Sequence, residues 1–296
     1  MKVLITGADG QLGSELKRAL ASGKTEIGTV PACFLGCNVL AAGRAGVDVS
    51  DGQAVAKYVR DNAPDILINC AAMTNVDACE SDRQAALRAN ALGPRNLALA
   101  ARDMGAKLIH ISTDYVFSGT GTEPYCEWDE PNPQTVYGKS KLLGERYVQV
   151  LHHKTTIVRT AWLYGYEGHN FVKTIVKAAR EKGQLRVVGD QRGNPTHAGD
   201  LAHHILKLAA AEEYGLYHCT GDGECSWYDF ACEIVRLAQI PCDVQPCTTA
   251  EYPRPAPRPA FSSLRNLALS CTVGDEMRPW RDALASFLTN WEGDAQ

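Results

Sequence analysis

The sequence has no excess of positive charge and no long apolar run. Its 30 lysines and arginines are fewer than its 34 aspartates and glutamates, which gives a formal net charge of −4. A protein that binds nucleic acid through phosphate contacts is usually basic, so we expect no nucleic-acid partner. No stretch approaches the roughly 18 apolar residues of a membrane-spanning helix, so we expect no membrane segment. The first residues reach glycine too early for a secretory leader, and we expect a cytoplasmic protein.

The eleven cysteines lack the spacing of a disulfide framework or a zinc site. Their number is odd and none of them forms a C-x-x-C motif. Cys33 and Cys37 lie four residues apart, but no second pair of ligands follows at zinc spacing. We therefore expect reduced thiols in a cytosolic protein. The 296 residues, 45% of them hydrophobic and 22% charged, instead indicate a folded chain of one large or two modest domains.

Short apolar runs alternate with helical stretches along the first half of the chain. The runs with strand character span residues 2–6, 65–69, 107–111 and 156–159, and helical stretches lie around 13–20 and 83–104. Strands separated by helices imply crossover connections and a parallel sheet covered on both faces. The sequence therefore predicts an α/β fold, a Rossmann-type doubly wound parallel sheet with a smaller mixed α/β domain assembled from later segments.

Prolines recur at every second position from Pro253 to Pro259. Proline fixes φ and has no backbone N–H, so this stretch is predicted to be loop or extended chain. It carries Arg254 and Arg258, so it is either a linker or a lid over an anionic ligand.

Three glycines follow the first predicted strand and precede the first predicted helix. Gly7, Gly10 and Gly13 give the spacing G-x-x-G-x-x-G. Glycines there allow a tight turn, a close approach of backbone N–H groups to a pyrophosphate, and close packing of helix on strand. The helix N-terminus adds unpaired N–H donors. A plain turn is the alternative, but the position directly after a strand favours a dinucleotide site.

The acidic residue that usually binds the cofactor ribose is missing from the predicted second strand, 38–44. Gly43 stands where the acid is expected, and Arg44 follows it. An arginine at this place can face a 2′-phosphate, which favours NADP, although a solvated arginine is the alternative.

A Y-x-x-x-K motif lies further along the chain than the glycine motif. Tyr137 and Lys141 lie on one face of a helix, so both can act on one ligand. A nearby ammonium stabilises a phenolate and lowers its pKa, which suits a proton donor to a carbonyl oxygen. Upstream, a hydroxyl from Ser112 or Thr113 follows the 107–111 strand and can hold the same carbonyl. A surface Tyr–Lys pair and an ordinary Ser/Thr/Asp turn are the alternatives.

The runs 112–117 and 136–141 resemble the dTDP-4-dehydrorhamnose reductase family of extended short-chain dehydrogenases/reductases. The resemblance implies NAD(P)H-dependent reduction of the 4-keto group of dTDP-6-deoxy-L-lyxo-4-hexulose to dTDP-L-rhamnose. We expect a monomer or a homodimer. Further matches lie at residues 6–13, 69–77, 160–164, 170–171, 193–196 and 258–259.

The resemblance and the motifs together give three groups of site residues. The catalytic residues would be Thr113, Tyr137 and Lys141. The cofactor, NADPH or NADH, would be bound by Tyr137 and Lys141 and by Gly7, Gly10, Gln11, Leu12, Gly13, Arg44, Ala71, Ala72 and Met73. The dTDP-sugar would meet Thr113, Asp114, Tyr137, Trp162, Asn170 and Arg258. For Trp162, a place in the apolar core is the alternative.

We assign residues 1–165 and about 196–222 to an NAD(P)-binding Rossmann domain. The substrate domain, which would bind the nucleotide sugar, would comprise about 166–195 and 223–296.

The chain departs from the family pattern at two places. Phe261 and Ser263 replace an amide and a cation, which puts the sugar preference in question. Some family members hold Mg²⁺ through acidic side chains. Glu15 could supply one ligand, but Gly199 stands where the partner acid is expected, next to Asp200. We therefore expect no metal.

Two other functions are open. A nucleotide-sugar epimerase or dehydratase shares the fold and the Y-x-x-x-K motif, but the residues at 114–117 and 194–196 favour the reductase. A non-catalytic regulatory subunit of methionine adenosyltransferase is also similar. Because no N-terminal arm precedes the first strand, we expect the reductase rather than this subunit.

Overall fold

Residues 1–291 are described by a computed structural model, and a six-stranded parallel sheet forms their centre. The strand order is β10-β5-β4-β3-β1-β2. The central strands are continuous apolar runs because both faces of the sheet are covered; Val3, Leu4 and Ile5 of β1 are fully buried. The six strands are β1 Lys2–Thr6, β2 Asn38–Ala42, β3 Ile66–Asn69, β4 Lys107–Thr113, β5 Thr155–Thr160 and β10 Gly215–His218.

Helices cover both faces of this sheet, which confirms the predicted doubly wound α/β fold. One apolar cluster packs α1 and α8 on one face, and a second packs α2, α5 and α6 on the other. The helices are α1 Gln11–Ser22, α2 Gly52–Asn62, α3 Val76–Ser81, α4 Arg83–Leu87, α5 Gly93–Met104, α6 Val136–Leu151, α7 Phe171–Lys182, α8 Ala198–Ala210, α9 Trp227–Leu237, α10 Leu267–Cys271 and α11 Trp280–Asn290.

A third apolar cluster lies away from the sheet and is built by α7, α9 and α11. Short strand pairs accompany it. They are β6 Leu163–Tyr164 with β9 Thr196–His197, β8 Arg192–Gly193 with β11 Cys225–Ser226, and β7 Gln184–Val188 with β12 Asp243–Cys247. This cluster is the counterpart of the smaller predicted domain, whose residue boundaries stay a prediction.

Several predicted segments are confirmed with shifted ends. The helix expected around 13–20 is the middle of α1, and β4 runs two residues beyond 107–111 to Thr113. The stretch 83–104 is helical but changes type, because a π-helical segment, Arg88–Leu92, separates α4 from α5. The proline-rich stretch from Pro253 to Pro259 has no helix or strand, as predicted.

All eleven cysteines are free thiols, as expected. Within residues 1–291, no helix combines the length and the apolarity that crossing a bilayer demands.

The topology fixes where a ligand can bind. The chain adds β2 on one side of β1 and β3 on the other, so the direction of strand addition reverses between β1 and β3. Ligands of open α/β sheets bind beyond the carboxyl ends of the strands at such a point. The glycine loop after β1 and the segment 70–73 after β3 both lie there.

Candidate active site

The glycine loop packs directly against the end of β3. Gly7 has a φ of 66°, and a Cβ built on it would lie 2.6 Å from the backbone nitrogen of Ala71. A Cβ on Gly13 would lie 2.7 Å from the Cα of Ala8. No larger residue fits either place, so the turn keeps the N-terminus of α1 close to β3. The Leu12 side chain is buried in the core, so only the Leu12 backbone can face a cofactor.

The predicted cofactor-binding segment Ala71–Met73 is held by two buried amides. Asn69 accepts the Ala71 N–H at 3.1 Å through its side chain. Asn90 accepts the Met73 N–H at 2.8 Å and donates to the Met73 carbonyl at 3.0 Å and to Ser140 of α6 at 3.1 Å. Asn90 belongs to the π-helical segment, and no local sequence signal predicted its position.

The ribose end of the predicted cofactor site contains an acid that the sequence analysis missed. Arg44 is exposed just beyond β2, as expected. Gly43 is the residue against which the Asp9 carboxylate of the glycine loop packs, and a Cβ at Gly43 would collide with it. The predicted ribose end therefore has both a cation and a carboxylate, and the carboxylate comes from the loop after β1 rather than from β2.

Tyr137 lies in the first turn of α6. Thr135 caps this helix by accepting the Gly138 N–H at 3.0 Å. The ring of Tyr115 packs edge-on to Tyr137 with centroids 5.4 Å apart. Burial raises the pKa of Tyr137, and the hydroxyl of Thr113 opposes that rise. The phenol is therefore held in its protonated form.

Lys141 lies one helical turn after Tyr137 and is buried. Its ammonium donates to the Ile111 carbonyl of β4 at 2.5 Å. Burial lowers the pKa of Lys141 to about 8, with the Glu145 charge acting in the opposite direction. In this structure burial is the largest influence on the pKa of Tyr137, and the Lys141 ammonium donates to the backbone of β4. A lowering of the Tyr137 pKa by Lys141 stays a prediction.

Of the two candidate hydroxyls, Thr113 and not Ser112 is beside Tyr137. Successive residues of a strand face opposite sides. Ser112 donates to the Glu145 carboxylate at 2.5 Å, and Arg159 binds the same carboxylate at 2.9 and 2.7 Å. This buried ion pair was missed, although Glu145 follows Lys141 at i+4, a spacing that places both on one helix face.

Asp114 is buried next to Thr113, whose hydroxyl donates to its Oδ1 at 2.8 Å. Burial raises the pKa of Asp114 to about 6, and the hydrogen bond from Thr113 acts in the opposite direction. Its Oδ2 atom has no hydrogen-bond partner among residues 1–291. A buried acceptor of this kind is suited to a hydroxyl group of a ligand.

Trp162 adopts a φ of 44°, which is rare for a large side chain. Its indole stacks on Trp227 with centroids 3.5 Å apart and an angle of 6°. A Cβ on Gly193 would lie 2.6 Å from the ring, so that glycine makes room for it. Trp162 is half-buried, between the predicted substrate role and the core alternative.

Asn170 has its amide engaged inside the protein. It caps α7 by accepting the Lys173 N–H at 3.1 Å, and it donates to the Gln11 side chain at 3.1 Å and to the Gly165 carbonyl at 2.9 Å. It therefore connects the glycine loop to α7, and its contact with substrate stays a prediction.

Arg258 lies at the end of the proline-rich stretch. Its guanidinium donates to the Asp77 carboxylate at 2.8 Å and to the Ala256 carbonyl at 3.0 Å. The segment is therefore attached to α3, which follows β3.

The residues expected at the family's metal position do not fit a metal. Glu15 is paired with Arg18 at 2.5 Å, and Gly199 offers no ligand atom. Glu26, His197 and Asp200 do lie close enough to share an ion. The guanidinium of Arg278 binds both of these acids, however, at 3.1 and 2.6 Å.

A family model matches nearly the whole chain. A model described as the RmlD substrate binding domain matches residues 1–292. The chain belongs to this family. It is 42% identical to the spore coat polysaccharide biosynthesis protein SpsK of Bacillus subtilis, over 97% of this chain and 96% of that protein.

Two solved structures extend the comparison to three dimensions. A dTDP-4-dehydrorhamnose reductase of Clostridium acetobutylicum has a TM-score of 0.92 and 47% identity, covering 98% of this chain and 99% of that one. A dTDP-4-dehydrorhamnose reductase of Bacillus anthracis in complex with NADP has a TM-score of 0.91 and 39% identity, covering 97% and 98%.

Phe261 and Ser263, which depart from the family pattern, both form backbone hydrogen bonds with neighbouring segments. Phe261 donates its N–H to Gly119 at 3.0 Å, and the Ser263 carbonyl accepts from Tyr125 at 2.9 Å. The exchange of side chains at 261 and 263 therefore does not prevent this segment from packing beside the site.

Proposed function

We propose that the chain reduces the 4-keto group of dTDP-4-dehydro-6-deoxy-L-mannose to give dTDP-L-rhamnose, with NADPH or NADH as the reductant. The observation that carries this proposal is the convergence of Thr113, Tyr137 and Lys141 at the carboxyl end of β4, the same edge of the sheet at which the glycine loop follows β1. Family membership and relatives named dTDP-4-dehydrorhamnose reductase support the same reaction.

Each member of this group has a role in the proposal. The nicotinamide supplies the hydride when the cofactor is bound. Tyr137, which burial keeps protonated, donates its phenol proton to the carbonyl oxygen. The Thr113 hydroxyl orients that oxygen. Lys141 binds the cofactor ribose and provides the positive charge near the phenolate that forms.

The remaining predicted site residues divide between cofactor and substrate. The backbone of the glycine loop and the N-terminus of α1 bind the cofactor pyrophosphate. Asp114 accepts a sugar hydroxyl, Trp162 packs on the sugar, and Arg258 binds the diphosphate. The predicted domain division, a cytoplasmic location and a monomeric or homodimeric state belong to this proposal as well.

A coupled assay tests the reaction. The substrate is generated from dTDP-glucose by a dehydratase and a 3,5-epimerase, and absorbance is followed at the nicotinamide band with NADPH and with NADH. We expect loss of absorbance in proportion to dTDP-rhamnose formed. A new sugar product that forms without net cofactor oxidation, and that is absent when this protein is omitted from the mixture, would indicate an epimerase or a dehydratase. Nucleotide binding without any turnover would indicate a regulatory protein.

A further inference from the structure

Asp77 joins two distant parts of the chain beside the proposed site. It lies in the first turn of α3, after the helix cap Asn75. Its Oδ1 atom accepts the Ala256 N–H at 3.1 Å, and its Oδ2 atom accepts from the Arg258 guanidinium at 2.8 Å. One carboxylate therefore binds both the backbone and the cationic side chain of the proline-rich stretch.

The stretch from Tyr252 to Pro259, here the proline loop, depends on few other hydrogen bonds. Its prolines have no N–H to donate. Ala256 is fully buried, whereas Tyr252 is 54% exposed. At its far end, Pro259 packs against Gly119, whose φ of 80° and lack of a Cβ make room for it. The loop is thus attached at Ala256 and at Pro259, on either side of Arg258.

Arg258 is held near Tyr137 through α3, because Val76, the neighbour of Asp77, belongs to one apolar cluster with Tyr115 and Tyr137. Its charge acts to lower the pKa of Tyr115, which burial raises. Tyr115 in turn packs edge-on to Tyr137. A guanidinium has five N–H donors, of which Asp77 and the Ala256 carbonyl each receive one. Donors therefore remain for an anionic ligand while the group is held in place.

We propose that Asp77 is a positioning residue that fixes Arg258 and the proline loop for the diphosphate of the nucleotide sugar. The identity of this ligand rests on the proposed function. A flexible arginine loses conformational freedom when it binds a phosphate, and a fixed one has less to lose. Asp77 also offsets part of the arginine charge. If Asp77 positions Arg258 for the diphosphate, removing the carboxylate weakens dTDP binding; if Asp77 competes with the diphosphate for Arg258, removing it strengthens dTDP binding.

Hydrogen exchange tests the attachment without ligand or turnover. The backbone N–H groups of the proline loop belong to Tyr252, Arg254, Ala256 and Arg258 alone, so a peptide covering it reports on few sites. We expect Asp77→Ala to speed exchange of the Ala256 amide by about tenfold or more, the scale of one charge-assisted hydrogen bond. Asp103→Ala, which removes an exposed carboxylate paired with Arg102 at 3.0 Å, is the matched control and should change nothing. Unchanged exchange in Asp77→Ala would overturn the proposal.

Calorimetry with dTDP as the probe tests the consequence for binding. We expect Asp77→Ala to raise the dTDP Kd by about tenfold while the NADPH Kd stays within twofold. Asp77→Asn, which keeps the shape and an acceptor for Ala256, guards against a folding defect and should also weaken dTDP. Tighter dTDP binding in either variant would show competition and overturn the proposal.

These measurements separate this inference from the proposed function. Weak dTDP binding in the variants together with no reductase turnover in the wild type would leave Asp77 as positioning residue and reject the reaction. If the wild type does not bind dTDP at all, the role assigned to Asp77 is rejected together with the nucleotide-sugar ligand.

Discussion

At the scale of single residues, burial rather than charge pairing controls the proton on Tyr137. The pKa of this phenol is raised by its burial, and Lys141 is held by the backbone of β4 instead. In the proposed reaction this protonated phenol donates to a carbonyl oxygen that becomes negative as hydride arrives.

Tyr137→Phe tests that role directly, because it removes only the hydroxyl. We expect kcat to fall below about a tenth of wild type, since positioned acid catalysis contributes roughly 10²–10⁴-fold. Cofactor Kd and thermal stability should not change. Tyr147→Phe, on the same helix, is the matched control, and steady-state kinetics is the measurement. A Tyr137→Phe enzyme with ordinary turnover would reject the phenol as proton donor.

Lys141 predicts a pH dependence for cofactor binding. Its pKa is lowered by burial to about 8, so the ammonium is present below that pH and lost above it. We expect the cofactor Kd of the wild type to rise as pH increases through about 8. Lys141→Met should bind weakly with a flat profile over this range. Lys139→Met, at an exposed position of α6, should keep the wild-type profile. Equal pH profiles for wild type and Lys141→Met would contradict the assignment.

The buried Asp114 carboxyl is expected to lower the stability of the protein near neutral pH while it contributes to binding of the sugar. Its pKa rises from 3.8 to about 6, so the folded state holds the proton more tightly than the unfolded state does. The free energy of unfolding therefore decreases as pH rises between these values, by up to about 3 kcal/mol. We expect Asp114→Asn to melt a few degrees above wild type near pH 7.5 and to lose that advantage progressively as pH falls from about 6 to about 4. The sugar KM should rise at the same time. A melting difference independent of pH would reject a buried, raised carboxyl.

At the scale of elements, the sequence predicted the strands and turns whose structure depends on residues close together in the chain. The apolar run of β1 and the glycine turn that follows it are set by neighbours in sequence, and both were placed correctly. Asp9 beside Gly43 was not predicted, because an acid was expected on β2, whereas the carboxylate at this place comes from the loop after β1. The pairing of Glu145 with Arg159 likewise depends on β5 packing under α6.

The π-helical segment is the clearest case of an element that the sequence did not predict. The 83–104 stretch has ordinary helical composition, yet its ladder changes at Arg88–Leu92. Asn90 there bonds to Met73 and to Ser140, so tertiary contacts accompany the extra residue in the turn. A feature that depends on partners from two other elements leaves no period in its own sequence.

Asn90→Ala tests what this segment does for the site. The change removes the side chain that holds Met73 to α6, so we expect the cofactor Kd to rise by about tenfold, the scale of one or two buried hydrogen bonds. The free energy of unfolding should fall by about 1–3 kcal/mol. Asn62→Ala, at the end of α2, is the control for loss of an amide bonded only within its own helix. If stability falls but cofactor binding does not, Asn90 supports the fold alone.

At the scale of the whole molecule, the sheet and the third apolar cluster are joined by a charged cluster. Glu26 follows α1 and Asp200 lies in α8, both on the sheet side, and Arg278 precedes α11. The Arg278 guanidinium binds the two acids, and Ser286 of α11 donates to Glu26 at 3.0 Å. The same pair of acids is the one that an ion could share with His197, so in this chain an arginine provides the positive charge.

Arg278→Met should therefore destabilise the whole protein, and in a pH-dependent way. Asp200 is 1% exposed, and its loss of a partner leaves a buried charge, which costs about 3–5 kcal/mol. In the wild type, burial raises the pKa of Asp200 but His197 and Arg278 outweigh it and lower the pKa. A carboxyl with a lowered pKa stabilises the folded state at pH values above the ordinary carboxyl pKa. That stabilisation is lost as pH falls through the lowered pKa of the folded state. The difference between wild type and variant should thus be largest near neutral pH and shrink below about pH 4.

Arg236→Met, at an exposed pair with Glu233, is the control and should change stability by less than about 1 kcal/mol. Denaturant unfolding at several pH values measures both, and a loss for Arg278→Met no larger than that of the control would show that this cluster does not hold the two parts together.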